Sequence, residues 1–120
     1  MRYILLIYGD ESGRSEMSER EASADTQRWQ DYTTWLTEQG WHLGGEPLLG
    51  TDQATSVRVT AGERVVIDGP FAETKEALGG YYIIGVEHLD DAIEAAARCP
   101  GAEYGTMEVR PIMELEMPQA

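Results

Sequence analysis

Apolar positions recur along the chain with two different periods, and the alternation of those periods predicts the order of the elements. Arg2 to Tyr8 is almost continuously apolar, as expected of a central strand covered on both faces. Gly9 to Ser23 is polar and reads as a loop, with room for one helical turn near Ser18 to Ala22. Trp29, Tyr32 and Leu36 then recur at i, i+3 and i+7, and Trp35 widens the stripe. That is the spacing of a helix packed on a sheet. Ser23 or Asp25 can cap this helix, and Gly40 supplies its stop. Trp41 to Leu49 is extended, with Gly44-Gly45 marking a bulge or a close backbone approach. Thr55 to Thr60 and Arg64 to Asp68 form a hairpin around Ala61-Gly62-Glu63. Leu78 to Val86 is a further strand. Leu89 to Cys99 is a helix with Leu89, Ala92, Ile93, Ala96 and Ala97 inward, stopped by Pro100-Gly101. Thr106 to Met113 closes the pattern as a last strand, and Met117 to Ala120 is a tail.

The order β-α-β-(ββ)-β-α-β is that of a ferredoxin-like split βαβ, an α+β sandwich with an inserted β-hairpin. The whole of residues 1–120 reads as one domain, of a size to hold a single modest core. Two helices cover only one face of such a sheet. The opposite face is also apolar, so a homodimer packed sheet to sheet is expected, with a cleft beside the partner.

Composition narrows the function classes. Nine basic residues against 22 acidic ones give a net charge of −13. Nucleic-acid affinity comes largely from phosphate contacts, so direct binding of DNA or RNA is not expected. A mean hydropathy of −0.40 and no apolar run of membrane-spanning length describe a soluble, cytoplasmic protein. The lone Cys99 excludes an internal disulfide and reads as a small core residue at a helix end. No zinc spacing, phosphate loop, nucleophile elbow or dinucleotide fingerprint occurs, so neither a metal nor an organic cofactor is expected. His42 precedes Gly44-Gly45 and makes a weak metal pair with Glu46. His88 falls at the start of the second helix, as a poor cap.

The chemistry concentrates in Asp68-Gly69-Pro70-Phe71-Ala72-Glu73-Thr74-Lys75-Glu76. Pro70 has no N–H to give a ladder and drives Gly69 out of the right-handed helical region, so the strand ends at Asp68. Asp68 beside Phe71 is either an acid/base group or a cap on the exit turn. Glu73 and Glu76 share a face if the segment makes a helical turn, and Lys75 either pairs with them or holds an anionic group. Arg58 and Arg110 are structural if they pair with Asp68 or Glu46, and suit a carboxylate ligand if they do not. Asp68 is thus the candidate catalytic residue. Glu46, Arg58, Glu73, Lys75, Glu76 and Arg110 are the candidate substrate-binding ones.

Asp68-Gly69-Pro70-Phe71, the following Glu73-Thr74-Lys75-Glu76 and the terminal Glu108-Val109-Arg110-Pro111 resemble the YCII-related, DGPF-domain family over nearly the whole chain. The resemblance implies a ferredoxin-like fold forming dimeric α/β barrels. It also implies bacterial genes beside, or fused to, extracytoplasmic-function sigma factors. A related branch contains a dehydrochlorinase with a proposed His-Asp site, and neither His42 nor His88 is matched to that histidine. Three readings follow: a cofactor-independent enzyme of lyase or isomerase type acting on a small polar molecule, a regulatory accessory of a sigma factor, and a structural dimer.

Overall fold

The computed structural model describes residues 1–116, so the Met117 to Ala120 tail lies outside the described residues. Strand β1 spans Arg2–Gly9 and is followed by a single turn, α1 (Ser12–Ser15), and the long helix α2 (Glu19–Glu38). Strand β2 (His42–Pro47), a 3₁₀ turn (Thr51–Gln53) and the hairpin β3 (Thr55–Thr60) and β4 (Glu63–Asp68) come next. Strand β5 (Ala77–Gly85), helix α3 (Leu89–Arg98), the turn α4 (Gly101–Tyr104) and β6 (Thr106–Pro111) complete the chain. The main sheet has the order β2-β5-β1-β6, every neighbour antiparallel, and β3-β4 forms a separate two-stranded sheet. This is the α+β arrangement of a split βαβ. One copy of the chain does not close into a barrel.

One boundary and one buried face differ from the sequence expectation. Helix α2 is capped by Ser18 rather than by Ser23 or Asp25, because Ser18 accepts from the Glu21 backbone N–H at 3.1 Å and Glu19 and Glu21 occupy its first turn. Both features favour a helix N-terminus. At the far end the expected stop is present: Gly40 has φ 76° and donates to Thr37, while Trp41 donates to Leu36. That paired closure is a Schellman motif. Helix α3 buries Ala92, Ala95 and Ala96 with Cys99 after them, whereas Leu89 and Ile93 are half exposed and Ala97 faces out. Small residues at i, i+3, i+4 and i+7 let α3 sit close to the sheet, and Tyr32 donates to the Ala95 carbonyl at 2.6 Å. The expected inward face, with Leu89, Ile93 and Ala97, is therefore rotated by about one position.

The core lies between the helices and one sheet face. Tyr3, Leu5, Ile84 and Val86 point into it against Tyr32, Leu36 and the alanines of α3. Burial pushes the Tyr32 hydroxyl well above its ordinary pKa and the Cys99 thiol up to about 11. Arg28 ties α2 to α4, donating to the Tyr104 hydroxyl at 2.6 Å and to Glu103 at 2.8 Å. Asp25 is buried beside this tie and pushes the pKa of Tyr104 up. Gly45 is required where β2 crosses β5, since a Cβ there would stand 2.5 Å from the Tyr81 carbonyl oxygen.

The other sheet face follows from the register, because residues paired across an antiparallel ladder point the same way. Leu6 shares a row with Tyr81 and Glu108, and Ile4 with Ile83 and Arg110; Glu46 lies opposite Tyr81. The result is an apolar centre between charged edge strands, and no helix covers it.

Candidate functional site

Beyond the end of β1, three loops enclose a cleft of about 540 Å³. They are Asp10 to Ser12, Thr51 and Asp52, and the segment from Gly69 to Ala77. The volume is in the range of small-molecule sites. Each loop is fixed by local chemistry. Asp10 accepts from both the backbone N–H and the hydroxyl of Ser12, at 2.9 and 2.7 Å, which holds its carboxyl below the usual range. Lys75 adds a smaller pull in the same direction. Glu11 accepts from the Thr51 backbone N–H and hydroxyl, both at 2.7 Å, and so clips the 3₁₀ turn to the end of β1.

The DGPF segment leaves β4 as the proline argument requires. Gly69 has φ 102°, donates to the Ala54 carbonyl at 2.7 Å, and accepts from the Ser56 hydroxyl at 2.7 Å. The strand ends at Asp68, as expected. No helical turn follows in residues 69–76, so Glu73 and Glu76 do not share a helical face. Glu73 lines the cleft, while Glu76 accepts from the Thr106 hydroxyl at 3.0 Å and anchors the segment to β6.

Of the residues singled out in the sequence, Glu73 and Lys75 line this cleft. Asp68 is exposed at the end of β4, one residue outside the lining, and no described group donates to its carboxylate. Arg58 lies on the hairpin, and Arg110 and Glu46 lie on the outer sheet face. Arg58, Arg110 and Lys75 make no ion pair among the described residues. The structure therefore does not bring the seven candidates to one place. Pattern reading missed Asp10, Glu11, Ser12, Thr51 and Asp52. Asp10-Glu11-Ser12, directly after an apolar strand, carries a usable signal: an acid two residues before a serine is a turn former that gathers polar groups at a strand end.

With Asp10 and Glu11 committed to loop structure, Asp52, Glu73 and Lys75 are the charges of the lining that make no hydrogen bond or ion pair among the described residues, and Lys75 lies within the field of Asp10. Most of the lining is exposed, and Phe71 stands next to the cleft at 83 % exposure. Among the described residues no group of three or more His, Cys, Asp or Glu could hold a metal ion. No helix among them is long and apolar enough to cross a membrane.

An α+β domain with an open, mixed-charge cleft at the end of its central strand defines the class. The chain matches the YCII-related domain family over residues 1–116 and belongs to that family. It is 38 % identical over 114 residues to a protein of Rhizobium meliloti (strain 1021) described as uncharacterized, covering 93 % of this chain and 92 % of that one.

Proposed function

We propose that the protein binds a small polar molecule in this cleft and works as a homodimer. The observation that carries the reading is that Lys75, Asp52 and Glu73, which make no ion pair among the described residues, line one cleft of about 540 Å³. Lys75 suits a carboxylate or another anionic group of the ligand, and Asp52 and Glu73 suit its hydroxyl or amine. A cofactor-independent lyase or isomerase reaction is the enzymatic form of this reading. In it Asp68, at the rim, exchanges a proton with the ligand once the cleft is closed to water. In one copy the rim is open, so closure falls to a second copy on the uncovered sheet face. Arg110 and Glu46 then act from that face and Arg58 from the hairpin, none of them from the cleft, and Glu76 acts as an anchor.

The test is an amide-resolved NMR titration with succinate and, separately, putrescine. Shifts centred on residues 10–12, 51–52 and 69–75, weakened by Lys75→Ala for succinate, support the site. Silence of those amides with both probes, or shifts elsewhere, refutes it. Asp68→Asn separates roles, since an acid/base group loses turnover with binding kept. A second reading, an accessory of an extracytoplasmic-function sigma factor, draws support from the exposed apolar hairpin. Direct binding of such a factor to the isolated protein would favour it.

A further inference from the structure

The cleft at the end of β1 carries an unbalanced set of charges. Among the described residues of its lining, Asp10, Glu11, Asp52 and Glu73 stand against one base, Lys75. Hydrogen bonds fix Asp10 and Glu11 in place without neutralising them. Lys75 offsets part of the negative charge, and Asp10 is the carboxylate that feels it. The other acids are not spread evenly. Asp52 Oδ1 and Glu11 Oε1 converge on Gly50, where an added Cβ would stand 2.9 Å from the first and 3.6 Å from the second. Glu11 accepts from the backbone N–H and hydroxyl of Thr51, whereas a carboxylate offers about four acceptor positions. Like charges placed so close raise each other's energy until a cation comes between them.

We propose that the cleft selects a small alkylammonium ion, with Asp52 and Glu73 holding its charged end and Phe71 flanking its alkyl part. The proposal rests on the ligand site of the preceding reading and names the class of ligand that site takes.

The rim supplies a feature independent of these charges. Phe71 sits between Pro70 and Ala72, both of which line the cleft, and its ring is left in water at 83 % exposure. An aromatic face attracts a cation through its quadrupole and an alkyl chain through apolar contact, and a carboxylate gains neither. An anion is also opposed by the lining and by the net charge of −13 on the whole chain. A bare metal ion fits less well than an organic cation. It needs several ligands converging on one point, and no group of three or more His, Cys, Asp or Glu among the described residues could hold one. An ammonium brings its own donors to acceptor-only groups, and its alkyl part finds Pro70, Ala72 and Phe71 along the same loop.

The test titrates the full chain with n-butylammonium and with butyrate, ions of matched size and opposite charge, by amide-resolved NMR at constant ionic strength. The expected result is saturable shifts at residues 10–12, 51–52 and 69–75, with the ammonium bound about 10-fold or more tighter than the carboxylate. Asp52→Asn and Glu73→Gln should each weaken the ammonium about threefold. Lys75→Met should strengthen it. Phe71→Leu, which keeps apolar bulk without the aromatic face, should weaken it about twofold or more. Glu38→Gln removes the same charge at the last residue of α2, outside the lining, and should leave the affinity unchanged. That control separates the site from the general pull of an acidic surface. Unshifted amides of Tyr3, Leu5 and Ile84 report that each variant keeps its core. Equal affinity for the two ions, or a preference for butyrate, overturns the proposal and leaves the ligand site standing. An ammonium affinity untouched by both Asp52→Asn and Glu73→Gln, or lowered as much by Glu38→Gln, overturns it as well. An affinity untouched by Phe71→Leu overturns the part given to the ring. Silence of the cleft amides with succinate, putrescine and both butyl probes is the failure of the site itself, and the proposal falls with it.

Discussion

The four-stranded sheet and the β3–β4 hairpin are made of similar residues and meet opposite fates. On β1, Tyr3 and Leu5 are buried under α2 and α3. On β3 and β4, Val57, Val59, Val66 and Ile67 are each more than half exposed. Both segments obey the same local rules: β-branched and aromatic residues, antiparallel pairing, a defined turn. The difference is whether the chain carries a partner for the apolar face. Strand propensity is thus a statement about a surface waiting to be covered, and the cover can lie outside the chain.

That comparison predicts unequal costs. Leu36→Ala or Ile84→Ala, at positions with no exposure, should cost about 2–5 kcal/mol. Val57→Ala should cost under about 1 kcal/mol in the monomer, because little area there leaves water. Thermal melts of monomeric protein that gave equal losses would erase the distinction. Between these extremes lies the link from hairpin to cleft. Gly69→Val, at φ 102°, should cost more than about 1 kcal/mol, and Lys75→Ala less than about 0.5 kcal/mol. A reversed order in denaturant melts would mean that the exit turn is not held by its backbone.

The core should also announce itself in alkali. Burial raises the pKa of Cys99 from 9.0 to about 11 and pushes Tyr32 up. Both folded groups hold their protons longer than the unfolded chain does. Their contribution to stability is complete below about pH 9 and falls as pH rises toward 11. Cys99→Ala should flatten the first part of that fall. An unchanged slope between pH 9 and 11 would contradict a sealed thiol.

The smallest effect is expected at the hairpin's tip. Ala61 at φ 51° and Gly62 at φ 80° make a two-residue turn with both central residues in the left-handed region. Ala61→Gly should relieve strain and tighten the hairpin by a few tenths of a kcal/mol. Amide exchange at Thr60 and Glu63 that quickened instead would argue against this turn.

Much of the fold was legible because its signals are local. The Trp29, Tyr32, Leu36 stripe, the Gly40 stop, the Gly44-Gly45 bulge and the hairpin at Ala61-Gly62 each need only their neighbours in sequence. The start of α2 was misread because Ser18 and Glu21 act as a pair, and a single capping residue was sought further on. The inward face of α3 was misread because Leu89 and Ile93 outrank alanine in hydrophobicity, while the sheet admits only small side chains at close range. The candidate site was legible in part. Glu73 and Lys75 lie in the motif loop, but Glu11 meets Thr51 across 40 positions, and no periodicity carries such a contact. Arg58, Arg110 and Glu46 were grouped by charge and alternation, which fix a side chain's face and leave its neighbours across the fold undetermined.

Hydrogen exchange through a dilution series that would take the proposed homodimer to monomer tests most directly the claim that the core is complete in one chain and the β3–β4 hairpin is not. Amides of Val57, Val59 and Val65 to Ile67 should lose protection in step with the loss of dimer mass, while those of Tyr3, Leu5 and Ile84 stay protected throughout. Hairpin amides that exchange equally fast at every concentration, or that remain protected in the monomer, would contradict the account.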